Sequence, residues 1–429
     1  MARRSWILLL LFAPTAAFAA GASEAFGLTL LGLAVILAGA KLAGDLAQRV
    51  GQPAVLGELL GGVAIGNLDL VGFDGLAFVP EDPILDALAN LGVIVLLFEV
   101  GLESTVAQMA KVGGSALLVA VLGVVAPMAL GYGVGVALLP DASWAVHLFL
   151  GATLTATSVG ITARVLQDIG QSQRPAARVI LGAAVIDDVL GLVILATVSA
   201  VIAAADLGQT VSVGPVAWIV AKAAVFLIGA VGLGVWLAPR VFRRAAGLRG
   251  GGVLLGVSLA FCFGLAWLSG VFGLAPIVGA FAAGLILEAA TWRPFVDRGE
   301  RPLEELIHPV VQLLAPVFFV LMGFRVDLAT FADPAGRGLA AALPVAAIVG
   351  KLACGLGVLD RTIPRLAVGL GMVPRGEVGL IFAKIGLGLS LGGQPVIGPS
   401  TFTAVVMMVI ATTFVTPPAL TWALRRAPG

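Results

Sequence analysis

Residues 178–201 read RVILGAAVIDDVLGLVILATVSAV. Apart from its first residue, the stretch is apolar and long enough to cross a bilayer, except that two adjacent acids, Asp187 and Asp188, sit in its middle. An ionised aspartate at the centre of a span costs ~2.5–3.5 kcal/mol on insertion scales. Two like charges this close cannot both stay ionised cheaply without something positive nearby. The pair therefore holds a proton, holds a cation, or faces a buried base. The choice between these occupants is where the chemistry of the chain is expected.

The rest of the composition agrees with a membrane setting. Of 429 residues, 60% are hydrophobic and 11% charged, with a mean hydropathy of +1.10. Soluble domains carry about 25% charged residues, so the class is a polytopic, all-α membrane protein. A net charge of +1 says nothing about partners, because the charges are sorted by side rather than by sum; no nucleic-acid partner and no cofactor are expected. Cys262 and Cys354 both lie in apolar runs and form neither a disulfide framework nor a metal cluster. The 57 glycines suit close approach of helices in lipid, where packing replaces the hydrophobic drive.

The first residues, MARRSWILLLLFAPTAAFAAG, read as a signal peptide over 1–20. Arg3 and Arg4 form a basic n-region, Trp6–Phe12 the apolar core, and Ala17-Phe18-Ala19 a cleavage site; the alternative is an uncleaved extra helix. Thirteen further apolar segments follow, near 27–44, 53–68, 86–102, 113–139, 144–163, 179–203, 213–238, 252–269, 273–288, 306–324, 338–358, 366–391 and 400–422. Alternate connections carry the positive charge: Arg49; Lys111; Arg164, Arg174 and Arg178; Arg240, Arg243, Arg244 and Arg249; Arg293, Arg298 and Arg301; Arg361 and Arg365; Arg425 and Arg426. The opposite loops are acidic or bare, with Arg337 near Asp333 as the main exception. The positive-inside rule then puts the mature N-terminus outside and the C-terminus in the cytoplasm, in a bacterial inner membrane. The chain ends soon after its last span, with no soluble regulatory domain expected.

An odd count permits six spans (27–203), a linker span (213–238) and six more in inverted orientation (252–422), together a transmembrane domain over 26–425. Transporters of this build keep their site at the bilayer midplane, between interrupted helices at matching positions in the halves. The fifth span contains GATLTATSVGITARV (151–165), and its counterpart contains LAVGLGMVPRGEVGLIFAKIGLGLSLGG (366–393). Both read as helices broken near the middle.

Several polar groups inside the spans are candidates for function. Successive helix positions point about 100° apart, so Asp187 and Asp188 cannot face one target equally. Asp188 is assigned to a cavity and its ion, Asp187 to a neighbouring helix; the alternative is a purely structural network. Lys351 lies deep in LPVAAIVGKLACGLGV with no acid in its own segment, so Asp187 is its expected partner; the alternative is a lysine snorkelling to the interface. Thr155, Thr157 and Ser158 offer oxygens at the first break for a hard cation such as sodium, or bond back to their own helix. Arg375, Glu377 and Lys384 are expected to satisfy one another or the dipole ends of the second broken helix. Glu58, Glu99 and Glu103 are placed near span ends or in tunnel walls, and Lys222 and Arg325 are unassigned. His147 and His308 flank spans and do not form a metal site.

At these residues the chain resembles the monovalent cation:proton antiporter-2 family, and within it the sodium/proton exchangers. The stretches that carry the resemblance are VLGELLGGVAIG (55–66), LGVIVLLFEVGLES (91–104), TATSVGITARVLQDIG (155–170), AAVIDDVLGL (183–192), LAPIVGAFAAGL (274–285), LAPVFFVLMG (314–323) and PRGEVGLI (374–381). The resemblance implies a homodimer in lipid, with a panel domain and a mobile core domain in which two discontinuous helices cross beside the acid pair. It implies that Asp188 is the acid that binds Na+ and carries H+, with Asp187 as its partner. Lys351 then matches the basic residue associated with electrogenic exchange, and pH homeostasis is the implied role. The absence of a C-terminal nucleotide-binding domain argues against the regulated potassium branch.

The mechanism expected is competition at one site: an arriving Na+ displaces the Asp188 proton and breaks the Asp187–Lys351 pair. Potassium/proton or lithium/proton exchange would use the same motifs. An intramembrane aspartyl protease needs two acids that meet on a substrate from different helices, which neighbours on one helix do not provide. A channel needs an open path lined by rings of acids or carbonyls, and a buried acid–lysine pair argues for exchange of occupants instead.

Overall fold

In a bilayer the backbone must satisfy its own polar groups, so apolar runs become helices. The computed structural model describes the backbone of residues 5–102, 106–206, 214–248, 250–287, 289–326, 328 and 337–426, and side chains from residue 26 onward apart from some positions within the helices. Glu103, Arg249 and Asp333 lie outside the described residues, as do the side chains of residues 1–25 and of Arg337, Glu377 and Lys384.

The first helices are α1 (Ser5–Arg49), α2 (Ala54–Gly66), α3 (Pro83–Leu102) and α4 (Val106–Leu138). The broken fifth segment forms α5 (Trp144–Thr153) and α6 (Val159–Asp168), followed by α7 (Pro175–Asp206), which carries the acid pair. Then come α8 (Gly214–Ala245), α9 (Val253–Val271), α10 (Pro276–Ile286), α11 (Ala289–Val296), α12 (Leu303–Phe324) and α13 (Arg337–Leu352). A second broken segment forms α14 (Arg365–Gly371) and α15 (Glu377–Leu387), and α16 (Pro399–Arg426) closes the chain. Helices α3, α7, α10 and α16 each begin with proline, whose fixed φ and missing N–H suit the first helical position. Among the described residues, nine helices are long and apolar enough to cross a membrane.

Three features depart from the hydropathy reading. The segments at 53–68 and 273–288 shorten to helices of 13 and 11 residues. The basic connection after residue 288 contains the short helix α11, with Arg293 in its last turn. The segment at 366–391 ends in a small antiparallel hairpin, Ser390–Leu391 with Gln394–Pro395. Gly392 and Gly393, at φ +61° and +76°, make its turn, because two consecutive positive φ values favour glycine.

The helices pack into two groups. In the first, α3 lies against α10 and α12, α2 against α1 and α12, and α9 against α8 and α10. In the second, α4 lies against α5, α7 and α13, and α16 against α13, α14 and α15. The groups meet mainly where α6 touches α2 and α3, where α16 touches α2, and where α7 touches α8.

The neighbour pattern repeats along the chain, and glycine shows why. A Cβ on Gly57 of α2 would stand 2.0 Å from the Ala43 carbonyl oxygen of α1, and one on Gly62 would stand 2.1 Å from that of Val320 in α12. On α10, five residues apart again, Gly279 meets the Leu265 oxygen of α9 at 2.2 Å and Gly284 meets the Phe98 oxygen of α3 at 2.2 Å. Only glycine allows backbones this close, so α2 and α10 hold equivalent places between equivalent neighbours.

Candidate functional site

Helix α7 enters the second group about twenty ångströms before its acids, at 1.5 Å per residue from Pro175. The turn between consecutive positions separates the two side chains. Asp187 is 1% exposed and points at α13, where Lys351 Nζ stands 3.2 Å from each of its carboxylate oxygens. Lys351 is fully buried, which sets aside the snorkelling alternative. Its ammonium lies over Gly123 of α4, where a Cβ would come within 3.2 Å, so the missing side chain on α4 makes the room. Neither charge reaches water, and each is tolerable only because the other is there.

Asp188 is half-buried and faces a different space. With Asp187 it lines a cavity of about 310 Å³ bounded by Ala156 and Thr157 at the first break, Gly191 and Leu195 farther along α7, Gly273–Pro276 between α9 and α10, and Val378 and Phe382 of α15. The wall is mostly apolar, with the acids and Thr157 as its polar side chains. The cavity thus lies between the two helix groups, with Asp188 at its polar end.

The two breaks lock into each other beside the acids. The Ser158 amide donates to the Pro374 carbonyl at 2.8 Å. Thr157 Oγ1 donates to Met372 O at 3.3 Å, and Thr162 Oγ1 to Gly371 O at 2.6 Å. Two helix C-termini, those of α5 and α14, therefore end inside the protein with carbonyls that have no helical partner. Arg375 supplies the donors. Its Nη1 donates to Val373 O at 3.0 Å and Met372 O at 3.4 Å, and its Nη2 to Leu154 O just past α5. The guanidinium is fully buried, and its charge opposes the negative ends of both half-helices. Thr413 Oγ1 of α16 donates to the Arg375 carbonyl.

The other expected residues fall as follows. Thr155 Oγ1 donates to Ala152 O at 2.8 Å, a bond back to its own turn, and Thr157 rather than Thr155 lines the cavity. Ser158 Oγ is buried against Gly376 and has no hydrogen-bond partner among the described residues. Glu377 begins α15, but its side chain and that of Lys384 lie outside the described residues. His147 Nε2 meets Leu139 O at 2.9 Å, and His308 Nδ1 meets Glu99 Oε1 at 2.8 Å. Arg325 pairs with Asp86, which neutralises a cation at the end of the molecule where loops are otherwise acidic.

Arg164 corrects the loop reading. It is not a free connection charge but a buried residue of α6, 9% exposed. Its Nη2 lies 3.3 Å from Glu58 Oε1 and its Nε 3.1 Å from Asp168 Oδ1. Asp168 also accepts the Val55 amide at 3.0 Å, and Gln167 Nε2 donates to Glu99 Oε2 at 2.7 Å. The one hint in the sequence was the i, i+4 spacing of Arg164 and Asp168; nothing local pointed to Glu58.

A buried carboxylate–ammonium pair, a second carboxylate in a cavity and two interlocked broken helices form the kind of site that membrane transporters build. The chain belongs to the sodium/hydrogen exchanger transmembrane family, whose sequence pattern matches residues 32–426. It is 37% identical over 425 residues to the high-affinity Na+/H+ antiporter NhaS3 of Synechocystis, spanning 91% of this chain and 88% of that one. It is 35% identical over 395 residues to the Na+/H+-K+ antiporter GerN of Bacillus cereus, spanning 90% and 94% of the two chains. Its fold is similar to that of the sodium proton antiporter MjNhaP1 of Methanocaldococcus jannaschii, with a TM-score of 0.60 at 16% identity, over 94% of this chain and all of that one.

Proposed function

We propose that this chain is a secondary antiporter that exchanges a monovalent cation, Na+ foremost, for H+, with Asp188 as the shared carboxylate. The observation that carries the reading is the division of labour on α7: Asp187 is held by Lys351 at 3.2 Å while its neighbour Asp188 lines the cavity. A cation that reaches Asp188 takes the place of its proton, because one carboxylate cannot hold both cheaply. When the cation also draws Asp187 away from Lys351, the lysine releases a second proton. Two protons then exchange for one cation and one net charge crosses. An inside-negative potential drives net cation export on this scheme, at about 2.3 kcal/mol per charge per 100 mV.

Thr157, with the backbone at the first break, supplies neutral oxygens near the acids, which suit a hard cation. Arg375 keeps the crossing in register and, with Glu377, belongs to the supporting charge network. The repeated packing of α2 and α10 supports inverted six-helix halves around the linker α8. The second helix group is read as the mobile core and the first as the panel, with two panels joined in a homodimer. Residues 1–20 are read as a signal peptide, and the basic connections as cytoplasmic, in a bacterial inner membrane. The name of the Bacillus cereus relative favours K+ as a second substrate.

The test is transport by the purified protein in proteoliposomes. Na+, K+ and Li+ are supplied in turn while lumenal pH is followed, with and without a clamped potential. A cation gradient is expected to move protons the opposite way, faster when voltage favours the net charge. No proton movement with any of the three cations would refute antiport, and indifference to voltage would refute the two-proton stoichiometry.

A further inference from the structure

The Asp188 cavity and the Arg164 cluster lie at opposite ends of the same seam. Helix α6 ends at Asp168 and α7 starts at Pro175, so the start of α7 is level with the Arg164 cluster. Asp188, Gly191 and Leu195 lie progressively farther from that end, since each residue of helix advances 1.5 Å. The cavity is thus a gap between the two helix groups on one half of the molecule. On the other half the groups are held together by side chains. Arg164, Gln167 and Asp168, on the core side, reach Glu58, Glu99 and the Val55 amide on the panel side.

We propose that Arg164 is a positioning residue of the exchange cycle. It is the centre of a polar latch, Glu58–Arg164–Asp168 with Glu99–Gln167, that holds the seam shut at the α6 end while Asp188 is open at the other. The latch must release before Asp188 can face the opposite side. Two further observations fit this role. Open space flanks the latch, a cavity of about 290 Å³ touching Glu58, Arg164 and Asp168 and another of about 350 Å³ touching Glu99 and Gln167. The charges can therefore take up water when they part, which a pair sealed on every side could not do. At the start of α6 the contact is close, with Gly160 against Val93 of α3 where a Cβ would come within 3.0 Å. Polar groups hold the end of α6, and a glycine with no side chain to interlock stands at its start.

The inference rests on the antiport reading, and sidedness separates the two. Apparent cation KM is measured from each side in right-side-out and inside-out vesicles for the unaltered protein, Arg164→Met, Glu58→Gln and Arg164→Lys. Loosening the latch removes population from the state open at the Asp188 cavity. With Arg164→Met and Glu58→Gln, KM is expected to rise about 3- to 10-fold on the cavity side and to fall on the latch side, while Arg164→Lys stays near the unaltered protein. A general structural lesion would not move the two sides in opposite directions. KM values that stay put or move together would overturn the latch. Should the Met and Gln variants fail to fold, Glu99→Cys with Gln167→Cys, joined by a short bis-thiosulfonate, tests the latch directly. Exchange is expected to stop on joining and return with reductant, and exchange that persists in the joined protein would overturn the proposal. An unaltered protein that exchanges no cation for protons would instead refute antiport itself.

Discussion

Lys351 Nζ stands 3.2 Å from each oxygen of Asp187, with 0% and 1% of the two side chains exposed. The contact joins residues 164 positions apart and is buried, whereas Asp188, one residue on, is half-exposed in the cavity that both acids line. The same turn of helix thus offers one carboxylate to a fixed cation and the other to a cavity.

Replacing Lys351 by glutamine strands the Asp187 carboxylate in a dry site. Losing one partner of a buried pair costs about 3–5 kcal/mol, so the melting temperature in detergent is expected to drop clearly. Any exchange that survives should ignore an imposed voltage, because the second proton has lost its carrier. Voltage-driven exchange by Lys351→Gln would remove the lysine from that role.

Asp188→Asn keeps the shape of the cavity and removes the group that can hold either a proton or a cation. Exchange is expected to vanish in the proteoliposome assay, while thermal stability changes little because the amide remains half-exposed to the cavity. Transport above one-tenth of the unaltered rate would move the shared site elsewhere.

Arg375→Met leaves the carbonyls of Leu154, Met372 and Val373 without their donor inside the protein. Each buried acceptor left unpaired costs about 1–3 kcal/mol. The variant is expected to lose stability at the crossing first, seen as faster hydrogen exchange of the Ser158 amide that now donates to Pro374 O. Unchanged protection there would show that the crossing holds without the guanidinium.

Gly62→Ala places a methyl 2.1 Å from the Val320 oxygen, and Gly284→Ala places one 2.2 Å from that of Phe98. Relief needs movement of whole helices, at about 1–3 kcal/mol per site. Equivalent losses at the two glycines, measured as melting temperature, are expected from their equivalent packing. An alanine tolerated at one and not at the other would contradict that equivalence.

Asp82 precedes α3 outside the spans. Burial alone would raise its pKa, but the Thr29 hydroxyl and the amides of Leu85 and Ile84 donate to the carboxylate and together hold it below the ordinary range. Because the folded pKa is depressed, the stabilisation is present above the unfolded value of about 3.9 and is lost as pH falls through the folded value. Asp82→Ala should cost about 1 kcal/mol, the usual worth of a helix N-cap, at pH 7 and less once the native carboxyl is protonated. A cost that did not shrink in acid would assign it to packing instead.

Much of the architecture was legible along the chain. The apolar segments each carry helix, and the breaks fall in the Thr/Ser run at 154–158 and at Met372–Gly376 around Pro374, because those residues either cannot continue a helix or compete for its backbone. The apolar pattern was less informative about single side chains. The Thr/Ser run offered either cation oxygens or bonds back to its own helix, and Thr155 makes the second kind of bond; Arg164 looked like a loop charge and is buried in a helix. In both cases hydropathy averages over a window in which one polar residue leaves no trace of its direction.

Hydrophobicity and charge are properties each residue brings to the bilayer by itself, so they were enough to establish a many-span membrane protein with an acid pair and a lysine at depth. Which residues face each other depends on how far each helix is rotated and how closely it is packed, and those are settled only between segments. That is why the reach of Arg375 across both breaks and the ties from Arg164 to Glu58 belong to the tertiary structure, as does the geometry of the Lys351–Asp187 pair that the sequence led us to expect. Each joins helices distant in sequence, over contacts that a rotation of one residue's turn, about 100°, would undo.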